Sequence, residues 1–441
     1  MINKVLSKII FHIYALKERI FRSLFIRDSF WALTGNTLGS GLSLIAGIFV
    51  ARYLGKDIYG EYGIIKNTII SLSIFSTFGL GYTSTKYVAE YKETRPEFLD
   101  LIIRYSKFIS LTVSGLVALS LFIFAKTLSE QILDAPHLYK SIRVVSVWVV
   151  IRSLTTTQIG VMAGFGQFKK MAYIEGIVGV LTFTLSILFT YEWGLLGALF
   201  ALLIAQIINL ILNYQVVLKL KPKSKALTNN IPILKDIISF SAPIALQEIT
   251  YSVMSWILHL MLIKITNYGE LGLFSAAMQW NALILFIPGV LRNVLLSHLS
   301  SNSNNDITHN RILKNALLIN FIATFIPVLV IYFFSNFIIH IYGNSFIDLR
   351  KVLQVSVFST MFISLSNVYS QAYLSKGKSW LMFYIRFFRD FGMIALGYIL
   401  LTYSKTLGGA ISLAYSQLVA SIFFLCVMAI IYKNIRQFSK T

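Results

Sequence analysis

The residues of this 441-residue chain with most chemistry to offer are charges set in apolar surroundings: Lys66, Lys107, Arg152, Arg386 and Arg389, with Glu175, Glu248 and Asp390. A charged side chain at mid-bilayer costs about 2.5–3.5 kcal/mol on the lenient insertion scale. Each therefore needs a route to the interface, or a partner and a wet cavity. Arg152 stands about ten residues, roughly 15 Å of helix, inside its apolar run, too deep for comfortable snorkelling. Thr155 and Thr156 share its face. Lys66 lies about two turns in, with Ser73 and Thr77 on its face, and Arg386 and Arg389 lie one turn apart on one face. Arg152, Lys66, Arg386 and Arg389 are thus candidate cations of an anion-binding cavity. Asp390 can neutralise one of its neighbours, in which case an internal ion pair is their whole role. Lys107 and Glu175 sit near the ends of their runs and can snorkel. Glu248 belongs to a polar stripe, Ser241, Glu248, Ser252, Ser255 and His259, whose spacing keeps one helical face wet. Glu248, Asp390 and Glu175 are the candidates for ion coupling or charge pairing, Glu248 with Arg152 or Lys66 as partner.

The elements that must position these charges follow from composition. Apolar residues make up 56%, charged residues 13%, and mean hydropathy is +0.72, whereas a soluble domain carries about a quarter charged residues. The chain is an all-α integral membrane protein. Twelve runs are long enough to span a bilayer, near 29–51, 59–80, 101–124, 142–163, 171–190, 194–217, 237–262, 270–291, 312–334, 352–374, 380–402 and 407–431. The fourth, eighth and eleventh are the least apolar. With both termini cytoplasmic, the inner segments hold 25 Lys and Arg against 9 in the outer loops, and the other five of the 39 lie within spans. That bias sets the orientation and supports an even span count. The net charge of +21 is accounted for by these short loops, so it does not indicate a nucleic-acid partner.

The chain reads as two copies of one six-helix unit. Tyr59-Gly60-Glu61-Tyr62-Gly63 returns as Tyr268-Gly269-Glu270-Leu271-Gly272, 209 residues on. Leu196-Gly197 with Gln206 matches Leu407-Gly408 with Gln417, and Gly166 through Tyr173 matches Gly377 through Tyr384, both at 211. Six spans per unit put both copies in parallel about an axis along the membrane normal. The expected organisation is an amphipathic cytoplasmic segment 1–28 kept in the mature chain, an N-lobe 29–218, a basic cytoplasmic linker 219–236, a C-lobe 237–432 and a cytoplasmic tail 433–441. Two such lobes around a polar cleft point to a solute transporter working by alternating access; channels and membrane-embedded enzymes share the duplication less often.

No enzymatic site is legible. HExxH and GxSxG are absent, and the lone Cys426 offers neither disulfide nor metal site. Lys376-Gly377-Lys378-Ser379 ends like a phosphate-binding loop, but Ala372 stands where its first glycine belongs. Transport is therefore expected to need no cofactor and to draw on a proton or sodium gradient, or on removal of product. The Gly35-Asn36-Thr37-Leu38-Gly39 stretch reads as a site of close helix contact.

The run Ala51-Arg52-Tyr53-Leu54-Gly55-Lys56-Asp57-Ile58-Tyr59-Gly60-Glu61-Tyr62-Gly63, followed by Phe78-Gly79-Leu80-Gly81, resembles the first-to-second-helix signature of bacterial polysaccharide flippases. These are the Wzx-like O-antigen and capsule-repeat translocases of the multidrug/oligosaccharidyl-lipid/polysaccharide exporter superfamily. The resemblance implies twelve helices in two pseudo-symmetric lobes around a central cavity. It implies a non-enzymatic flippase in the bacterial inner membrane that moves an undecaprenyl-diphosphate-linked oligosaccharide to the outer leaflet for O-antigen, capsule or exopolysaccharide assembly. Its partners would be that glycan lipid and the bilayer, with a glycan polymerase and a chain-length regulator. Arg52 then reads as a loop or lobe-packing residue. A drug–cation antiporter of the same superfamily should carry an acid deep in its N-terminal lobe, where this chain has only Glu175 near an interface. Peptidoglycan-precursor flippases usually carry more than twelve helices. A non-transporting assembly scaffold is the remaining alternative.

Overall fold

A computed structural model describes residues 2–220, 231–301, 306–376, 378–403 and 408–438, and side-chain surroundings are described from Gly39 onward. Ten of the linker residues, 221–230, with Gly377, Leu407 and the tail beyond 438, lie outside the described residues. So do the side chains on which the amphipathic reading of 1–28 rests. Among the described residues there is no strand.

The N-lobe is built from α1 (Ile2–Thr77), α2 (Leu80–Thr94), α3 (Leu99–Ile123), the short α4 (Ala125–Thr127), α5 (Tyr139–Gly164) and α6 (Phe168–Leu220). Gly55 and Gly194 adopt positive φ inside α1 and α6, a conformation glycine reaches without a Cβ clash. Each turns one continuous helix into two crossings. The C-lobe comprises α7 (Ile231–Ile265), α8 (Tyr268–Ile284), α9 (Phe286–Ser301), α10 (Asp306–Phe333), α11 (Ser335–Tyr342), α12 (Leu349–Ser375), α13 (Ser379–Tyr403) and α14 (Gly409–Phe438). Eight described segments are individually long and apolar enough to cross a membrane. Two of them, Gly41–Lys92 and Phe168–Leu220, are the doubled helices. The crossings these eight leave out are the eighth run, split at Leu285 into α8 and α9, each too short to span alone, and the eleventh, α13, which carries Arg386, Arg389 and Asp390. Twelve crossings in two lobes result.

The structure moves several expected boundaries. No break separates 1–28 from the first span, because no glycine or proline falls between Ile26 and Phe30. The second span continues as α2 past a bend where Phe78 and Gly79 both have positive φ. The eighth breaks at Leu285, between α8 and α9.

The buried apolar core shows how the lobes meet. At the end carrying Gly55 and Gly343, one continuous cluster joins Val50, Tyr59 and Ile65 of the N-lobe to Leu271, Phe346 and Leu413 of the C-lobe. Toward the linker end it divides, one cluster around Leu80, Ile102 and Met162 of the N-lobe that also takes in Ile233 and Ile237 of α7, another around Leu299, Tyr373 and Met428 of the C-lobe. The lobes therefore fuse at the Gly55 end and part toward the other except along α7, which stays packed against the N-lobe. Polar contacts fasten the fused end: Arg52 Nη1 donates to the Ile341 carbonyl at 3.4 Å, Lys264 pairs with Asp134, and Tyr268 Oη donates to the Leu133 carbonyl at 2.6 Å. Burial, with Glu61 and Asp134 nearby, pushes the Tyr268 phenol up, which keeps it a donor. Arg52 is thus a lobe-packing residue.

Candidate substrate cavity

Within the N-lobe, both arms of α1 curl around a hollow of about 510 Å³ that α5 and both arms of α6 complete. The fold-back at Gly55 puts Ser43 and Gly47 of one arm opposite Lys66 and Ser73 of the other. Arg152 from α5 and Glu175 from α6 enter the same space, with Trp148, Thr156, Gln206 and Asn209. The Arg152 side chain is exposed to water within this helix-lined hollow. Its guanidinium lies 6.0 Å from the Trp148 ring centre, and Lys66 Nζ lies 5.6 Å from that of Tyr62. Arg152 and Glu175 are within electrostatic reach of each other. A second space of about 320 Å³ continues from the hollow through Ser43, Lys66 and Glu175 to the seam, where Gln279 and Leu283 of α8 close it.

The C-lobe holds a pocket of about 310 Å³ between α7, α9, α12 and α13. It gathers Arg292, Arg386 and Arg389 with Glu248, Asp390, Tyr251 and Asn367. Asp390 is buried at 6% exposure, and its Oδ1 accepts from Arg389 Nε and Nη2, both at 2.8 Å. That leaves Arg386 and Arg292 facing Glu248. Arg386 is within electrostatic reach of all four of the other charges.

The two pockets are the same place in each repeat. Arg152, Thr156, Glu175, Val178 and Gly179 line the N-lobe spaces, and the residues 211 further on, Ile363, Asn367, Arg386, Arg389 and Asp390, all line the C-lobe pocket. The chemistry has diverged, since an acid in one copy, Glu175, stands where the other has Arg386.

The structure redistributes the sequence candidates. Arg152 and Lys66 come together in the N-lobe, and Arg386 and Arg389 come together in the C-lobe, so the four do not form one cluster. Glu175 lines the hollow beside Arg152 instead of reaching an interface, because the adjoining α5 brings a guanidinium to its depth. Glu248 faces the arginines of its own lobe, not Arg152 or Lys66 as first expected. Ser241 and Ser252 of its stripe pack on a polar helix face: Thr83 and Ser241 hydroxyls meet at 2.6 Å, Ser252 Oγ donates to the Ser71 carbonyl at 3.1 Å, and the neighbouring Trp256 Nε1 donates to Thr68 Oγ1 at 3.0 Å. Lys107 projects outward, 5.3 Å from the Tyr214 ring centre. Gly39 and Gly179 pack face to face, a Cβ on Gly179 falling 3.0 Å from the Gly39 Cα. Sequence reasoning missed Arg292, counted as a loop residue, and Gln206, noted only as a repeat marker. Only the repeat register could have flagged Gln206.

A model of the polysaccharide biosynthesis protein family matches residues 25–291. The chain belongs to that family. Its fold is that of the superfamily named from the sequence: an inward-facing multidrug MATE transporter superposes at TM-score 0.79 with 17% identity, covering 92% of this chain and 99% of its own. A Pyrococcus furiosus transporter of the same superfamily, described as having a binding pocket of reversed polarity that suggests a different function, superposes at 0.69 with 17% identity over 94% and 96%. An uncharacterised membrane protein of Methanocaldococcus jannaschii is 22% identical over 426 residues, 92% of this chain and 97% of that one.

Proposed function

We propose that this family member is a flippase that carries an undecaprenyl-diphosphate-linked oligosaccharide from the cytoplasmic to the outer leaflet of the bacterial inner membrane, for O-antigen, capsule or exopolysaccharide assembly. The observation that carries the reading is the set of cavity-lining, water-accessible cations, Lys66 and Arg152 in one lobe and Arg292 and Arg386 in the other. Guanidinium and ammonium groups in a hollow of low dielectric suit a diphosphate headgroup, and family membership supports a glycan cargo. Lobes fused at the Gly55 end and parted toward the linker end suit the inward-loading half of an alternating-access cycle, with that end and both termini cytoplasmic by the charge bias. A proton or sodium gradient drives the cycle through Glu248, Glu175 or Asp390, and a glycan polymerase with its chain-length regulator receives the product.

One observation favours the cation-coupled drug antiporter instead, namely that Glu175 reaches the N-lobe hollow. Against it, Arg152 and Lys66 share that hollow, and a cationic drug would meet two like charges there. A deletion strain separates the readings. The flippase reading expects loss of surface glycan with cationic-dye resistance unchanged; altered dye resistance with intact glycan would overturn it.

A further inference from the structure

The two pockets differ in what they leave unsatisfied. In the C-lobe the available groups are guanidiniums. In the N-lobe hollow, beside the Lys66 ammonium, they include uncharged donors. Gln206 is buried at 6% exposure and its Nε2 has no hydrogen-bond partner among the described residues; the same holds for Trp148 Nε1. Both line the hollow. A buried donor left unmade costs about 1–3 kcal/mol, so a cavity that keeps two of them is built for a ligand, or for water that a ligand replaces. Hydroxyl oxygens of Ser43, Ser73, Thr156 and Thr182 line the same hollow, and the Trp148 ring adds an apolar face. Amide and indole donors with hydroxyls around an aromatic face match a sugar ring, whose hydroxyls alternate with apolar C–H surface. Glu175, within electrostatic reach of Arg152, offsets part of the positive charge that Arg152 and Lys66 bring to the hollow.

We propose that the N-lobe hollow is a carbohydrate subsite, in which Gln206 and Trp148 read the hydroxyls of the sugar next to the lipid diphosphate, while Arg292 and Arg386 of the C-lobe pocket hold the diphosphate itself. This rests on the flippase reading and adds a division of labour between the lobes. Duplication supplied two equivalent pockets, and exchange of Glu175 for Arg386 at the matched position gave one to sugar and the other to phosphate.

The test uses the purified full chain in detergent and two probes: undecaprenyl diphosphate, and the same lipid bearing one N-acetylglucosamine, glucose or galactose. The expected wild-type result is at least tenfold tighter binding of one sugar-bearing lipid. Gln206→Met keeps the side-chain length and removes the donor, and should bring that preference to within about twofold. Trp148→Phe, a second variant that keeps an aromatic ring, should lower it in the same direction. Arg386→Gln should weaken both probes by the same factor. The proposal is overturned if wild-type protein does not discriminate among the lipids, if Gln206→Met and Trp148→Phe both keep the preference, or if they weaken the sugar-free lipid equally. Binding of neither lipid by wild-type protein would instead sink the flippase reading beneath it.

Discussion

Gly60 and Gly272 touch across the lobe seam, each from its own copy of the repeated motif. A Cβ on Gly60 would overlap the Tyr268 carbonyl and lie 3.1 Å from the Gly272 nitrogen; one on Gly272 would overlap the Lys56 carbonyl and lie 3.2 Å from the Gly60 nitrogen. The motif thus meets its own repeat at the pseudo-dyad, which explains why both copies keep glycine where α1 and α8 cross. Such backbone contact exists only while the lobes are fused at this end.

Adding a methyl group here should shift the conformational balance. Overpacking costs about 1–3 kcal/mol, and 1.4 kcal/mol is about a tenfold change in a two-state equilibrium. Gly60→Ala and Gly272→Ala are expected to disfavour the fused state. In a Cys426→Ser background, a cysteine at Ser43, which lines the hollow, should lose reactivity toward an impermeant thiol reagent applied from the linker end. Unchanged labelling in both variants would show that the crossing tolerates the added atom.

Much of this architecture can be read from the residues. Span length and the repeat register follow from local composition, and the depth of Arg152 and Lys66 follows from counting helical rise. Neighbours on other helices do not. Glu175 reads as an interfacial residue because position along α6 says nothing of Arg152 on α5. Glu248 lies mid-way along a stripe whose Ser241 and Ser252 face α2 and α1, yet it lines a different pocket. Arg292 falls beyond the break at Leu285, which hydropathy alone does not locate, so it counts as loop.

Arg389 and Arg386 should separate by stability. Arg389 holds Asp390, whose carboxylate is buried, and removing one partner of a buried pair typically costs about 3–5 kcal/mol. Arg389→Ala and Asp390→Asn should therefore lower the thermal midpoint of the detergent-solubilised protein clearly, while Arg386→Gln changes it little and instead reduces glycan export. Equal midpoints for all three would mean the Arg389–Asp390 pair is not structural.

Arg152 should prove functional with Glu175 as its partner. Arg152→Ala is expected to block surface glycan at normal protein level, and Arg152→Lys to restore part of it, because lysine keeps the charge but loses the planar donor fork. Glu175→Gln removes the opposing charge near Arg152 and should leave export less impaired than Arg152→Ala does. Wild-type glycan output from Arg152→Ala would remove this guanidinium from the mechanism.

The lobe seam itself can be locked. Gly63 on α1 and Ser275 on α8 approach so closely that a Cβ on Gly63 would lie 3.2 Å from the Ser275 Cβ, a little shorter than the roughly 3.5–4.5 Å separation of bridged cysteines. A small local adjustment is enough for Gly63→Cys and Ser275→Cys, made together in the Cys426→Ser background, to form a disulfide under mild oxidation. If export requires the lobes to part at this end, the crosslinked protein should be inactive in proteoliposomes and recover when reduced, with each single variant active throughout. The hollow at Ser43 should meanwhile stay open to reagent from the linker end. Transport that continues at full rate with the bridge demonstrably closed would mean that the lobes do not separate between α1 and α8, and a rocking cycle about this seam would have to be abandoned.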